Sequence, residues 1–341
     1  MKYTITNQPN SIVEIKIELD KNDLLPFKEK AIEELAKSVQ MNGYRQGKVP
    51  LELAKTKIPP TELAEKTASF AIEEIYPKII LKEKINALGY PEIKITKIIP
   101  DQEMEFQIKV AQLKEIILPD YKNIAKEFKK KKEISVSENE IEETLKWIYL
   151  SRNKNAKEGD ILKIDDEFAH SLGDFRDLED LKKNIREGVK MEKEQKETEK
   201  WRIELLEKIM ENIEWDLPEI LIETEIQKMI EELKVRLEEM ELPYEKYLEQ
   251  IKKTEKDLEK DLRETASKRV KIGLILREIA IKENISISEE EIQEKTERII
   301  SQVSDESLKE KINPQQLKEF VVNLIQNEKV FVFLENQSNS N

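Results

Sequence analysis

Residues 11–19, SIVEIKIEL, alternate strictly, with Val13, Ile15, Ile17 and Leu19 on one side and Glu14, Lys16 and Glu18 on the other. A period of two with one charged side predicts a half-buried strand. Helical spacing takes over from about 22 to 42 and stops at Gly43, a natural left-handed stop residue. Pro50 suits the first turn of another helix, and Pro59-Pro60 interrupts it. A long helix is then predicted over about 61–86, with a kink at Pro77. EIKITKII (92–99) and EMEFQIKVAQL (103–113) return to the strand pattern and are joined by a tight turn at Pro100-Asp101. The predicted order, β-α-α-β-β, is a small sheet covered by helices on one face.

From residue 116 the pattern changes. The stretch 116–140, IILPDYKNIAKEFKKKKEISVSENE, reads as an extended connector, and its basic run Lys129–Lys132 as a solvated linker. Ser137 and Glu140 form a capping box that opens a helix reaching about Arg152. A long charged helix is predicted within 177–213, carrying Leu181, Ile185, Val189, Trp201, Leu205, Leu206 and Ile209. Further helices are predicted from Pro218, over 243–253, over about 255–284, from the capping box Ser288–Glu291, and from Pro314 to about Glu335. The fold class expected is α+β: a β-α-α-β-β domain over 1–115, a connector with one helix over 116–162, an elongated all-α domain over 163–335, and a disordered tail, NQSNSN, over 336–341.

Composition agrees with long solvated helices. Of the 341 residues, 38% are apolar and 38% charged, a low apolar share and a high charged share for one compact globule. The chain has no cysteine, which removes disulfides and thiolate metal sites. The N-terminus lacks the apolar core of a signal peptide and no run approaches a membrane span, so a soluble intracellular protein with no membrane partner is expected. The net charge of −13 is uneven: residues 1–115 hold 18 basic and 18 acidic residues, and the remainder carries the whole excess. Within the neutral segment, 37–57 has Lys37, Arg45, Lys48, Lys55 and Lys57 against Glu52 alone.

Catalytic chemistry is hard to find. A single histidine, His170, excludes histidine clusters, and its isolation favours a structural or exposed role. Carboxylates recur at helical spacing as solvated faces do. GYRQGKV has three residues between its glycines and Val49 after the lysine, whereas a P-loop has four and then Ser or Thr. No G-x-G-x-x-G occurs. No enzyme, no catalytic residue, no cofactor and no metal is expected.

The basic loop GYRQGKVP (43–50) has two readings at this point. It is either a helix connector whose charges face water, or a binding tip. Gly43 and Gly47 let the backbone turn sharply, Arg45 and Lys48 project from a tip held by helices, and Tyr44 adds an aromatic face. These residues resemble the ribosome-docking signature of the trigger factor family, G-F-R-x-G-K-x-P. The segments KIDDEFAHSLGDFRDLEDLKKNIREGV (163–189), DLPEILIETEI (216–226) and the closing NPQQLKEFVVNLIQNEKVFVFLENQ are similar to that family's C-terminal helical region. Two departures stand out at the loop: Tyr44 replaces Phe, and Gln46 stands where many members carry a second basic residue.

The resemblance implies an ATP-independent chaperone. Gly43, Tyr44, Arg45, Gly47 and Lys48 would bind the ribosome, on protein and rRNA of the large subunit near the exit tunnel. Long helical arms would form a cradle that shields nascent or unfolded polypeptides. Most members carry an FKBP-type prolyl isomerase domain between the connector helix and the C-terminal helices. Here the residues after Arg152 are too few and too poor in glycine for one, so the isomerase is expected to be missing at 116–162. Met210, Met229 and Met240 are either adaptable client contacts or, on the favoured reading, core filling between helices. A weak homodimer is kept as an open expectation. The rival readings are a helical scaffold or tether without ribosome binding, a periplasmic chaperone of the SurA type, and a residual prolyl isomerase.

Overall fold

The computed structural model describes residues 1–45, 48–100, 102–129, 134–152, 163–302 and 312–339. The alternation at 11–19 becomes a strand whose apolar side is fully covered. Strands β1 (Lys2–Gln8), β2 (Ile12–Asp20), β3 (Ala87–Ile99) and β4 (Glu103–Gln112) form one antiparallel sheet in the order β1-β2-β4-β3. Register sets Ile15 opposite Ile108 and Ile17 opposite Phe106, and these four side chains are the most buried of the sheet. The α+β class and the predicted elements hold, with β1 as an addition. Its KYTITNQ carries only Tyr3 and Ile5 as apolar alternants, too few to stand out as a strand.

Helix α1 (Lys21–Ala36) starts in a capping box: Asp20 accepts from the amides of Asn22 and Asp23, and the Asp23 carboxylate accepts from the Asp20 amide at 3.1 Å. It ends at Ala36, seven residues before Gly43, which is therefore not its stop residue. Ser38 Oγ donates to the Leu35 carbonyl at 2.8 Å, an alternative to helix continuation, and Val39 and Met41 turn back to pack near Ala36. Helix α2 (Leu51–Lys55) is short, and α3 (Pro60–Lys82) carries Pro77 inside it. The first turns of α3 border Pro100 and Met104 at the β3–β4 turn. Its far end reaches the opposite edge, where Tyr3 donates to Glu83 at 2.6 Å and accepts from Lys82 at 2.9 Å. The helix thus crosses the sheet.

The remaining helices are α4 (Tyr121–Glu127), α5 (Glu138–Arg152), α6 (Asp166–Leu172), α7 (Leu178–Glu211), α8 (Glu219–Glu239), α9 (Tyr244–Ile251), α10 (Glu255–Lys282), α11 (Glu289–Gln302) and α12 (Pro314–Asn339). By contacts the chain divides into two units: residues 1–116 with 214–271, and residues 117–213 with 272–341. The helical stretch 163–335 contributes to both.

In the first unit, residues 214–218 tie to the sheet, where Asp216 takes Lys114 at 2.6 Å and its carbonyl accepts from Ser11 Oγ at 2.7 Å. The Lys114 ammonium lowers the Asp216 pKa. Helices α8, α9 and α10 share a small core around Ile226, Met229, Ile230 and Leu258.

In the second unit, α5, α6 and α7 bury Ile141, Leu145, Phe168 and Leu181 together, and α12 packs on α4 and α11. Both capping boxes form: Ser137 pairs with Glu140, and Ser288 with Glu291. The stretch expected to be an extended connector instead contains α4, whose Tyr121 and Ala125 are buried. Four polar or basic residues in its seven masked that apolar spacing. Of the basic run, Lys130–Lys132 lie outside the described residues. The tail is also corrected. Helix α12 continues to Asn339, and Ser338 is buried with its hydroxyl donating to the Phe128 carbonyl at 3.2 Å, a long-range partner that polar composition cannot reveal. The same carbonyl accepts from Trp201 Nε1 at 2.8 Å.

Lys193 of α7 sits 2.5 Å from Glu140 of α5, and the Ser137 amide and hydroxyl also donate to that carboxylate. The lysine first, then these donors, hold the Glu140 pKa at about 2 against an ordinary 4.5. A carboxyl lowered in the folded state stabilises above its unfolded value, and that stability is lost as pH falls through the folded one. Glu140→Gln is therefore expected to lower the urea midpoint at pH 7 and to flatten its decline between pH 4.5 and about 2, measured by circular dichroism.

Candidate functional site

The basic loop spans the gap between α1 and α2. Its closing end is pinned by an apolar contact: Val49 is buried against Ala36 and Ala54, with Val39 and Met41 packed alongside. Pro50 then caps α2. Inside the loop the Tyr44 amide donates to the Met41 carbonyl at 3.1 Å, and the Lys48 amide to the Arg45 carbonyl at 2.9 Å, so the chain turns twice within eight residues. Gly43 has φ +88°, which L side chains avoid, while nothing lies within 4 Å of where a Cβ would stand. The glycine is thus required by backbone conformation, and close packing plays no part.

Two short turns and one buried valine leave the polar side chains outside. Tyr44, Arg45 and Lys48 are all exposed. Among the described residues, neither Arg45 nor Lys48 has an ion-pair or side-chain hydrogen-bond partner. Lys37 and Lys55, by contrast, pair with Glu34 and Glu52 one helical turn away, each at 2.9 Å. Of the expected site residues, the structure brings Gly43, Tyr44, Arg45 and Lys48 together at one tip. Gly47, like Gln46, lies outside the described residues. Sequence reasoning passed over Val49, the buried anchor, and the exposed Leu51 and Leu53 beside the cations. The signal for Val49 was its place as the one apolar residue between Lys48 and Pro50.

Chemistry elsewhere is sparse. His170 is exposed at the end of α6, and no cluster of three or more potential metal ligands exists among the described residues. No helix among them is long and apolar enough to cross a membrane. The three methionines separate: Met229 is buried core, Met210 is half-buried, and Met240 is exposed at the end of α8. In the second unit a cleft of about 520 Å³ opens between α11 and α12, floored by Ile292, Ile300 and Leu317 and rimmed by Glu289, Glu297 and Lys318.

Comparison with known proteins bears on both ends of the chain. A family model described as bacterial trigger factor protein matches residues 1–148, and one described as the bacterial trigger factor C-terminus matches residues 177–335. The trigger factor of Clostridium botulinum strain Hall is 25% identical over 394 aligned positions, covering 89% of this chain and 90% of that protein. That of Caldicellulosiruptor saccharolyticus is 23% identical over 426 positions, covering 98% and 97%. Both alignments are longer than the 341 residues of this chain, so they run past stretches it does not have. A solved structure described as showing promiscuous substrate recognition in folding and assembly activities of the trigger factor chaperone superposes with a TM-score of 0.61 at 17% identity, over 98% of this chain and 99% of the other. That likeness shows the fold.

The loop geometry separates structural from surface positions. Gly43→Ala is expected to cost about 1 kcal/mol through its positive φ. Arg45→Ala/Lys48→Ala should stay within about 0.5 kcal/mol of wild type, because both side chains are exposed and have no partner among the described residues. Urea unfolding of the three proteins checks this, and a double variant less stable than Gly43→Ala would show that the cations hold the fold.

Proposed function

The chain belongs to the trigger factor family of ribosome-associated chaperones, and from that premise we propose that it docks through the 43–50 loop on the large ribosomal subunit near the exit tunnel. One observation carries the reading: Arg45 and Lys48 stand exposed and, among the described residues, unpaired, beside Tyr44, on a tip whose base is fixed by Val49. A cation that must meet an external anion gains nothing from an internal partner, and a rigid mount spares it ordering entropy on binding. Ribosomal protein carboxylates and rRNA phosphates are both suitable partners. So few charged contacts give a reversible, salt-sensitive association.

The charge split serves the same end. Residues 1–115 are neutral and the rest of the chain carries the net −13, so RNA repels the helical part and leaves the basic tip as the docking end. In this reading 1–115 dock and 163–335 hold nascent or unfolded polypeptides in the cytoplasm, without nucleotide. The apolar-floored cleft between α11 and α12 supports the second role.

The chain performs this work without a prolyl isomerase domain. Residues 149–176, between the two matched segments, are too few for a separate domain, which takes about 50 residues. The greater length of the aligned relatives supports the same conclusion.

Ribosome cosedimentation tests the docking. Wild type should pellet with ribosomes at low salt and be released as salt rises. Tyr44→Ala/Arg45→Ala/Lys48→Ala should bind at least about tenfold more weakly. Equal binding by the two proteins would remove the loop from the mechanism. A refolding assay in which wild type leaves client aggregation unchanged would favour a scaffold.

A further inference from the structure

The sheet has one apolar face, and its helices do not cover all of it. Across β4 the core-side residues Ile108, Phe106 and Met104 are 0%, 1% and 2% exposed. Their register partners on β3, Ile93, Ile95 and Ile98, point to the same face yet are 40%, 39% and 37% exposed. Because α3 crosses from the β3–β4 turn toward β1, it leaves this row on the outer strand half bare. Three isoleucines at near-alternate positions on an edge strand are an unusual thing to leave in water.

The row leads into a cavity. Met104, the partner of Ile98, also lines a cleft of about 220 Å³ between the first turns of α1 and α3, walled by Leu24, Leu25 and Leu63. The charged residues among its described lining are Lys21 and Lys28, both cations, in a chain of net charge −13. The edge itself is available for backbone pairing over a limited span. Register shifts at Leu88/Glu92 and at Ile95/Lys97 break the regular pairing of β3 into Glu92–Ile95 and Lys97–Ile99, so an added strand could follow only short uninterrupted stretches of this edge.

We infer that the β3 edge, with the adjoining lysine-flanked cleft, is a second polypeptide-binding site on this chain, taking extended client segments in which apolar residues alternate and acidic residues flank them. This rests on the chaperone reading above and places a client site on the docking unit itself. The period of the isoleucine row matches an extended segment, since alternate side chains of a strand share a face. Lys21, exposed at the start of α1, favours acidic flanks. A pairing window this short makes the hold weak, as a site that must release its client requires.

Two fluorescein-labelled peptides with the same alternating valine core, one flanked by glutamates and one by lysines, test the assignment on the full chain by fluorescence anisotropy. Net charge alone favours the lysine-flanked peptide, so tighter binding of the glutamate-flanked one is the expected and distinctive result. Ile93→Ser/Ile95→Ser should weaken that binding about tenfold. Lys21→Glu, a change at an exposed first-turn position that helices tolerate, should cancel the preference for acidic flanks without altering the fold by circular dichroism. Equal affinity for the two peptides, or affinities unchanged in both variants, overturns the site. So does a serine variant that loses self-association while its peptide binding is intact, since the row then belongs to a second copy of the chain. Aggregation of a heat-unfolded client, followed in parallel, keeps the two readings apart. Suppression by wild type with no peptide preference sinks this site alone, whereas no suppression and no peptide binding sinks the chaperone reading beneath it.

Discussion

Strands β2 and β4 are buried on one face and wet on the other, and the first unit is organised by the need to cover that face. Val13, Ile15, Ile17 and Leu19 lie against Val110, Ile108, Phe106 and Met104 in register, and a one-residue slip of either strand would send its four side chains into water. Helices α1 and α3 supply the cover. Having laid them side by side on the sheet, the chain must still pass from the end of one to the start of the other. That passage cannot enter the core, because its backbone amides would lose water without gaining partners. The basic loop is what lies along it, and one buried valine between two alanines holds it in place.

Much of this was legible in residue spacing. The apolar alternation of β2 and β4 is unambiguous, and both serine–glutamate capping boxes marked helix starts that the structure reproduces. What escaped depended on partners distant in sequence. Strand β1 has two apolar alternants and is a strand because β2 offers it an edge. The tail after Glu335 is polar throughout and would be disordered alone, but the Phe128 carbonyl receives Ser338 more than two hundred residues away. Helix α4 was hidden by lysines whose neighbours Tyr121 and Ala125 are buried. The candidate site was legible as a motif. That Arg45 and Lys48 have no partner among the described residues was not, since Lys37 and Lys55 stand in the same basic stretch and are neutralised by glutamates one turn away.

That distinction matters more than any count of ion pairs. The helices of both units carry many carboxylate–ammonium contacts at three- and four-residue spacing, and pairs of this kind on a surface contribute about 0–1 kcal/mol each. Arg45 and Lys48 show no such pair among the described residues, and in the proposed docking the anion they meet is on another particle.

The incomplete cover of the sheet follows from the same economy of helices. Two helices of 16 and 23 residues can shield two central strands, and the diagonal course of α3 protects the β1 edge at Tyr3 at the expense of β3. In a protein whose task ends at its own fold, an uncovered isoleucine row on an edge strand invites aggregation. Here register shifts break the pairing of β3 into Glu92–Ile95 and Lys97–Ile99, which shortens every uninterrupted run along that edge. Such a run is enough to give an extended chain a brief foothold. Apolar exposure confined to short runs of an edge strand is, under the inference above, the physical condition under which one polypeptide can hold another and let it go.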